Sequence, residues 1–424
     1  MCMYTRRKVD WMKHYLTKIE IKKLRHLTNL CIELDEGKKQ HLLLTGKNGS
    51  GKTTLLIAMQ KYLKAINDRK LKMLKEDYVL WLGNAERALN AALNENEKYE
   101  KEKNYKEKLR LITQYSDGLD LQFNEYRDLD YAYEKGNFII AYFPAERKTK
   151  IVRPQGVQDI KLKDFYGIDE DPGSVLVKYM VHLKTQQAYA RNELDMANVS
   201  RIEEWFERFQ DALRYLFDDD ELELEYNYKD YDFRIIESGR EPFAFDQLSD
   251  GYSAVIHIIS DLILRMDKNW MLNNELSEYD IEGIVLIDEL ETHLHIELQK
   301  KILPFLTKFF PNIQFIVTTH SPYILNSISN AKAYDLEKRI ELENLYRYSS
   351  EDLAEAYFDT DEYAHELIAK LYRYQELVNL DEITEEERAE RANLRIELKN
   401  ISSEMFGEVK DKFEEIEMQR KTNG

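Results

Sequence analysis

The run Gly46-Lys47-Asn48-Gly49-Ser50-Gly51-Lys52-Thr53 holds three glycines, a lysine and a hydroxyl at the spacing that closes a backbone around phosphate oxygens. The glycines let successive N–H groups turn toward one anion. A helix starting at Thr53 would add about half a positive charge at its N-terminus. Lys52 would reach the β- and γ-phosphates of a nucleotide, and the Thr53 hydroxyl would ligate Mg²⁺. Asn48, Gly49, Ser50, Gly51, Lys52, Thr53 and Thr54 are the expected nucleotide-binding set, with ATP and Mg²⁺ as ligands.

Further along, Ile284-Val285-Leu286-Ile287-Asp288-Glu289 is an apolar run ending in two carboxylates. A buried parallel strand would deliver that pair to the edge of the phosphate loop. Asp288 would hold Mg²⁺, and Glu289 would orient the attacking water as general base. Ile313 to Thr318 is a third apolar run, followed by Thr319-His320-Ser321-Pro322. Its distance from the acidic run fits one crossover helix, Leu298 to Phe310, which would place His320 beside the same phosphate. Gln247-Leu248-Ser249-Asp250-Gly251-Tyr252-Ser253 opens another helix. Its Ser249 hydroxyl and Gly251 N–H form an anion site.

These groups need strands and helices to carry them. Alternation in Leu16 to Leu34 reads as two strands around a turn, and His41 to Thr45 as the strand entering the phosphate loop. Thr53 to Leu63 reads as a helix. The expected organisation is an ATPase core over 14–64, 137–150 and 241–330. A charged helical insertion occupies 65–136, a second insertion of helix and hairpin 151–240, and a helical tail 331–424. Glu95 to Arg110 reads as a solvated helix or short arm. Ser200–Glu203 and Thr384–Glu387 read as capping boxes. Leu222–Asp230 and Tyr231–Ile236 form the hairpin.

The 424 residues suffice for a large core. A formal net charge of −18 excludes an overall positive coat for nucleic acid, though a local basic surface for DNA or RNA remains compatible. The two cysteines, Cys2 and Cys31, build neither a disulfide framework nor a zinc site, and Cys31 is expected to be a buried strand residue. A reducing, cytoplasmic compartment fits. No run reaches the roughly 18 apolar residues of a membrane span, and the N-terminus has no signal-peptide core. His293 and His295 stand at i and i+2, which would not face one site on a helix. Asp359, Asp361 and Glu362 read as a solvated turn, so no nuclease site is expected.

The order phosphate loop, Leu-Ser-x-Gly, Asp-Glu strand and Thr-His-Ser-Pro resembles the ABC-type ATPases. More narrowly, it is similar to their RecF, SMC and OLD-like branch. Ile19 to Arg25 is similar to that branch's opening strand and basic turn, and Glu289-Leu290-Glu291-Thr292-His293-Leu294-His295 to its E-x-x-x-H-L-H signature. The likeness covers residues 14–64, 137–150 and 243–330. Tyr142 to Arg147 together with the other motifs resembles ATPase subunits of bacterial anti-phage defence systems of the Septu PtuA kind.

The resemblance implies an α/β fold, an ABC-type head with helical insertions and a helical C-terminal tail. It implies a homodimer or higher oligomer with ATP sandwiched between protomers. Ser249 and Gly251 would bind the γ-phosphate held by the other protomer. Glu291 and His293 would lie at the seam, and Arg25 near the nucleotide base or phosphate. Departures stand at Asp250, Tyr252 and Leu290. The family's glutamine after the edge strand is replaced by Pro144-Ala145-Glu146-Arg147, with Gln155 and Gln158 further on.

Three functions compete: a defence ATPase controlling a nucleic-acid-directed effector, a DNA-repair or chromosome-maintenance ATPase, and a transporter subunit. The E-x-x-x-H-L-H and Thr-His-Ser-Pro pieces disfavour the transporter. A nuclease or effector partner encoded nearby favours defence.

Overall fold

The computed structural model describes residues 14–147, 154–272, 281–342, 345, 353, 360–380, 384–399, 410, 412–414 and 416–418. Twelve strands fall among them: β1 (Leu16–Leu24), β2 (Leu27–Glu33), β3 (His41–Thr45), β4 (Leu119–Phe123), β5 (Phe138–Phe143), β6 (Glu223–Asn227), β7 (Asp232–Ile236), β8 (Phe243–Ala244), β9 (Glu282–Ile287), β10 (Ile313–Thr318), β11 (Ala331–Asp335) and β12 (Ile340–Leu342). The central sheet has the order β12-β11-β3-β10-β9-β5. Its five strands from β11 to β5 run parallel, with β12 antiparallel at one edge.

Strands buried on both faces read as near-continuous apolar runs, and β3, β9 and β10 do so apart from the buried polar residues His41, Thr45, Gln314 and Thr318. Their alternate residues feed two separate cores. Leu42, Leu44, Ile284, Leu286 and Ile316 pack toward helix α1 (Lys52–Asn67) and the antiparallel sheet β2-β1-β4. Leu43, Val285, Ile287, Phe315 and Val317 pack toward the helical side. Gln314 fastens the two sheets together: its amide accepts from Leu16 N–H at 2.7 Å and donates to Leu16 O at 3.0 Å and Gln40 O at 2.8 Å.

The 65–136 insertion is not wholly helical. A π-helical turn, Leu74–Tyr78, leads into α2 (Val79–Asn90), and α3 (Glu95–Thr113) buries none of its residues, as a solvated arm should. Then β4 returns to pair with β1. Its sequence Leu-Asp-Leu-Gln-Phe alternates, and that signal was available.

The second insertion contains α4 (Leu176–Asn192) and α5 (Met196–Phe217), with β6, β7 and β8 forming a small antiparallel sheet. The expected start of α5 at Ser200 is corrected: Asp195 caps the helix, its carboxylate accepting from Asn198 N–H at 3.2 Å. Glu203 instead pairs with Arg191 at 2.6 Å. Helix α6 (Asp250–Leu272) shares one hydrophobic core with α4 and α5. Its buried Asp261–Arg265 pair is tied to the core, since Arg265 donates to Ile140 O and Gly167 O, both at 3.0 Å.

Helix α7 (Ile296–Phe309) is the crossover between β9 and β10. The expected helical tail begins too early, because β11 and β12 extend the core sheet to Leu342. Beyond it lie α8 (Thr360–Asn379) and α9 (Glu385–Lys399). The Thr384 capping box is present: Thr384 Oγ1 accepts from Glu387 N–H at 3.2 Å, and Glu387 accepts from Thr384 N–H at 2.8 Å. Asp361 and Glu362 belong to α8 rather than to a turn, while Asp359 and Cys2 lie outside the described residues. Cys31 is exposed, because Leu30 and Ile32 take the inward positions of β2. Among the described residues, no helix is long and apolar enough to cross a membrane.

Candidate functional site

The loop from Gly46 to Gly51 joins the C-terminal end of β3 to α1, the place where parallel α/β sheets put ligands. Two of its glycines have specific reasons. Gly51 has φ 102°, and a Cβ there would meet Leu27 Cδ1 at 3.0 Å and His26 Nε2 at 3.1 Å. Gly46 has φ 126°, and a Cβ would lie 3.0 Å from Ser50 Oγ and 3.2 Å from Asp335 Oδ1.

Lys52 is buried, and its ammonium donates to Gly46 O at 2.7 Å and Lys47 O at 3.2 Å. Burial lowers its proton affinity, and Glu289, Glu291, Asp288 and Asp335 oppose that shift. Thr53 and Thr54 follow at the helix start, with Thr53 exposed.

The next parallel strands bring the acids to the same edge. Backbone bonds carry the sheet beyond β9 and β10: Asp288 N–H donates to Phe143 O at 2.8 Å, and Thr319 N–H to Leu44 O at 3.0 Å. Asp288 is 1% exposed. The Thr318 hydroxyl donates to Asp288 Oδ1 at 2.6 Å and accepts from Glu289 N–H at 2.7 Å. Glu289 sits at φ 46°, a left-handed conformation unusual for a side chain of its kind.

His320 follows β10 and donates its backbone N–H to Glu291 Oε1. Burial first, then the Lys52 charge, lower the pKa of its imidazole, with Glu291 and Glu289 opposing. The ring is therefore neutral at pH 7.

The structure thus brings Asn48 to Thr54, Asp288, Glu289 and His320 to one sheet edge. Arg25 lies exposed in the β1–β2 turn at φ 53°, and the adjacent His26 donates from Nε2 to Ser50 O at 3.0 Å. That turn therefore rests on the glycine-rich loop.

Ser249 and Gly251 stand at the start of α6 against the other end of the acidic loop. Ser249 is exposed, and a Cβ on Gly251 would come 2.5 Å from His293 O. His293 and His295 precede α7 instead of lying on a helix, and both are exposed. Glu291 turns inward through its bond to His320.

Thr318 and Arg147 are the site residues that sequence reasoning passed over. Thr318 looked like one more residue of an apolar strand. Arg147 stands where a glutamine was sought, and its guanidinium donates to Asp288 O at 2.6 Å and Glu289 O at 2.9 Å. Gln155 and Gln158 fall in an irregular segment further on.

Comparison with known proteins gives concordant results. A family model described as "AAA domain, putative AbiEii toxin, Type IV TA system" matches residues 42–326. The chain is 35% identical over 159 residues to "Retron Vc95 probable ATPase" of Vibrio cholerae, covering 35% of this chain and 30% of that protein. It is 39% identical over 104 residues to "Retron Ec83 probable ATPase" of Escherichia coli, covering 24% and 19%. It is 41% identical over 83 residues to "Septu protein PtuA" of Bacillus mycoides, covering 20% and 11%. The matches span less than a third of the length of these relatives. Among solved structures, an SMC head bound to the C-winged helix domain of ScpA aligns with a TM-score of 0.37 at 13% identity, over 78% of this chain and 95% of that one.

Proposed function

Since the chain belongs to the AAA-domain family described under the AbiEii toxin of type IV toxin–antitoxin systems, we propose that it binds and hydrolyses ATP at the β3–α1 edge and controls a nucleic-acid-directed effector in anti-phage defence. One observation carries the site. Of the seven buried side-chain polar atoms without a partner among the described residues, four surround this edge: Thr45 Oγ1, Ser50 Oγ, Glu291 Oε2 and His320 Nε2. Buried polar atoms are costly to leave unpaired. Their convergence beside a glycine-rich loop and a buried lysine suits a polyanion and its water.

The residues present fit ATP and Mg²⁺. The N–H groups of Asn48 to Thr54 and the Lys52 ammonium would hold the phosphates. Thr53 and Asp288 would hold Mg²⁺, which neutralises developing phosphate charge when bound. Among the described residues no group of three or more His, Cys, Asp or Glu side chains is placed to hold a metal, in keeping with an ion that takes phosphate and water oxygens as well. Glu289 accepts a proton from the attacking water, and neutral His320 orients that water or the terminal phosphate.

The resemblance to ABC-type ATPases implies that ATP is sandwiched between two protomers, and the exposed Ser249 at the start of α6 is open to a second copy. The likeness to retron and Septu proteins supports a defence role, and the proposal assigns action on nucleic acid to a separate effector chain.

The test is calorimetry and turnover. Lys52→Ala should lose ATP affinity steeply. Glu289→Gln should keep affinity and hydrolyse at least about a hundredfold more slowly. Unchanged affinity in the first, or wild-type turnover in the second, sinks the assignment.

A further inference from the structure

Arg147 lies four residues beyond the end of β5. Its side chain folds back, with Nε donating to Pro144 O at 3.1 Å. From there Nη2 donates to the consecutive carbonyls of Asp288 at 2.6 Å and Glu289 at 2.9 Å. Consecutive carbonyls of an extended strand point in opposite directions. These two converge on one nitrogen because Glu289, at φ 46°, is left-handed. That region is sparsely used by residues other than glycine, asparagine and aspartate. Thr292 N–H on Glu289 O at 3.0 Å and Leu290 N–H on Thr318 O at 3.2 Å help to hold the turn, and the guanidinium is the one side chain among the described residues that binds both carbonyls.

The turn also decides where the Glu289 carboxylate goes. Had β9 continued extended, Asp288 and Glu289 would point to opposite faces. With the turn, the Glu289 charge is felt by both Lys52 and His320. Burial lowers Arg147 to about 10, opposed by Glu291, Asp288 and Glu289, so the guanidinium stays charged at neutral pH. A lysine could supply that charge but has no second nitrogen to stay on Pro144 O while reaching the acid pair.

We propose that Arg147 is a positioning residue for hydrolysis, the group that bridges the Asp288 and Glu289 carbonyls and so aims the Glu289 carboxylate. The proposal rests on the ATPase reading above.

The test uses the full chain and compares wild type, Glu289→Gln, Arg147→Ala and Arg147→Lys for ATP affinity, KM and kcat, with and without added guanidinium ion. In Arg147→Ala, kcat falls at least about a hundredfold while affinity and KM stay within about threefold. Guanidinium restores Arg147→Ala at least about tenfold and leaves Glu289→Gln unchanged. Wild-type kcat in Arg147→Ala overturns the proposal. So does a parallel loss of affinity, which makes Arg147 a nucleotide ligand, or a lost kcat that guanidinium does not restore. If Arg147→Ala does not fold, Arg147→Lys decides: lower kcat at unchanged KM supports the role, and wild-type kcat overturns it. Absence of ATP turnover in the wild type sinks the ATPase reading itself. Wild-type turnover lost in Glu289→Gln but kept in Arg147→Ala sinks the Arg147 role alone.

Discussion

The hydroxyl of Thr318 lies 2.6 Å from Asp288 Oδ1, and both residues are almost fully buried. The same oxygen accepts the Glu289 N–H, so one side chain of β10 sets the carboxylate and the backbone of two acids on its neighbour.

Thr318→Val keeps the shape and removes both bonds. Each orphaned group costs about 1–3 kcal/mol. Melting temperature and turnover should both fall, and Thr318→Ser should recover most of each. A valine variant with unchanged turnover would show that the bridge has no part in hydrolysis.

His320→Ala should slow turnover while sparing ATP affinity. Its Nε2 is buried without a protein partner, and Lys52 and burial keep the ring neutral. Loss of ATP binding in calorimetry would mark a structural histidine instead.

Ser249→Arg should leave each protomer able to bind ATP while blocking productive pairing. Mixed with Lys52→Ala, it should restore at most one composite site per dimer. Full turnover by a protein that light scattering shows to be monomeric would refute the shared site.

Asp267 on α6 is fully buried, with Tyr179 OH bonded to it, and burial raises its pKa to about 7. The folded state therefore binds this proton more tightly than the unfolded chain, whose aspartates titrate near about 4. The stability from protonation is fully present below pH ~4 and is lost as pH rises through about 7. Asp267→Asn, neutral throughout, should gain on the wild type in melting temperature as pH rises from ~4 to about 7. A difference independent of pH would show that Asp267 titrates normally.

The phosphate loop, the acidic strand and the strand before His320 were legible because each is local. Strand, glycine turn and helix follow one another within Leu42 to Leu56, and β9 and β10 are short, mostly apolar runs. The capping box at Thr384 was legible for the same reason. The start of α5 was not, because two capping signals stood five residues apart and Asp195 took the role.

What the residue order determined by itself was the candidate set: a glycine-framed lysine, two terminal carboxylates and a histidine, on strands whose order in the chain implies a parallel sheet. Only the tertiary structure decided which strands lie side by side. It put β11 beside β3 although nearly three hundred residues separate His41 from Ala331, and it turned the mixed sequence Ala-Lys-Ala-Tyr-Asp into a core strand. It also chose Arg147 as the cation at the acid pair. Hydrogen bonds between residues 141 and 142 positions apart leave no periodicity or spacing in a sequence. They exist because β5 pairs with β9 and brings the two strand ends together.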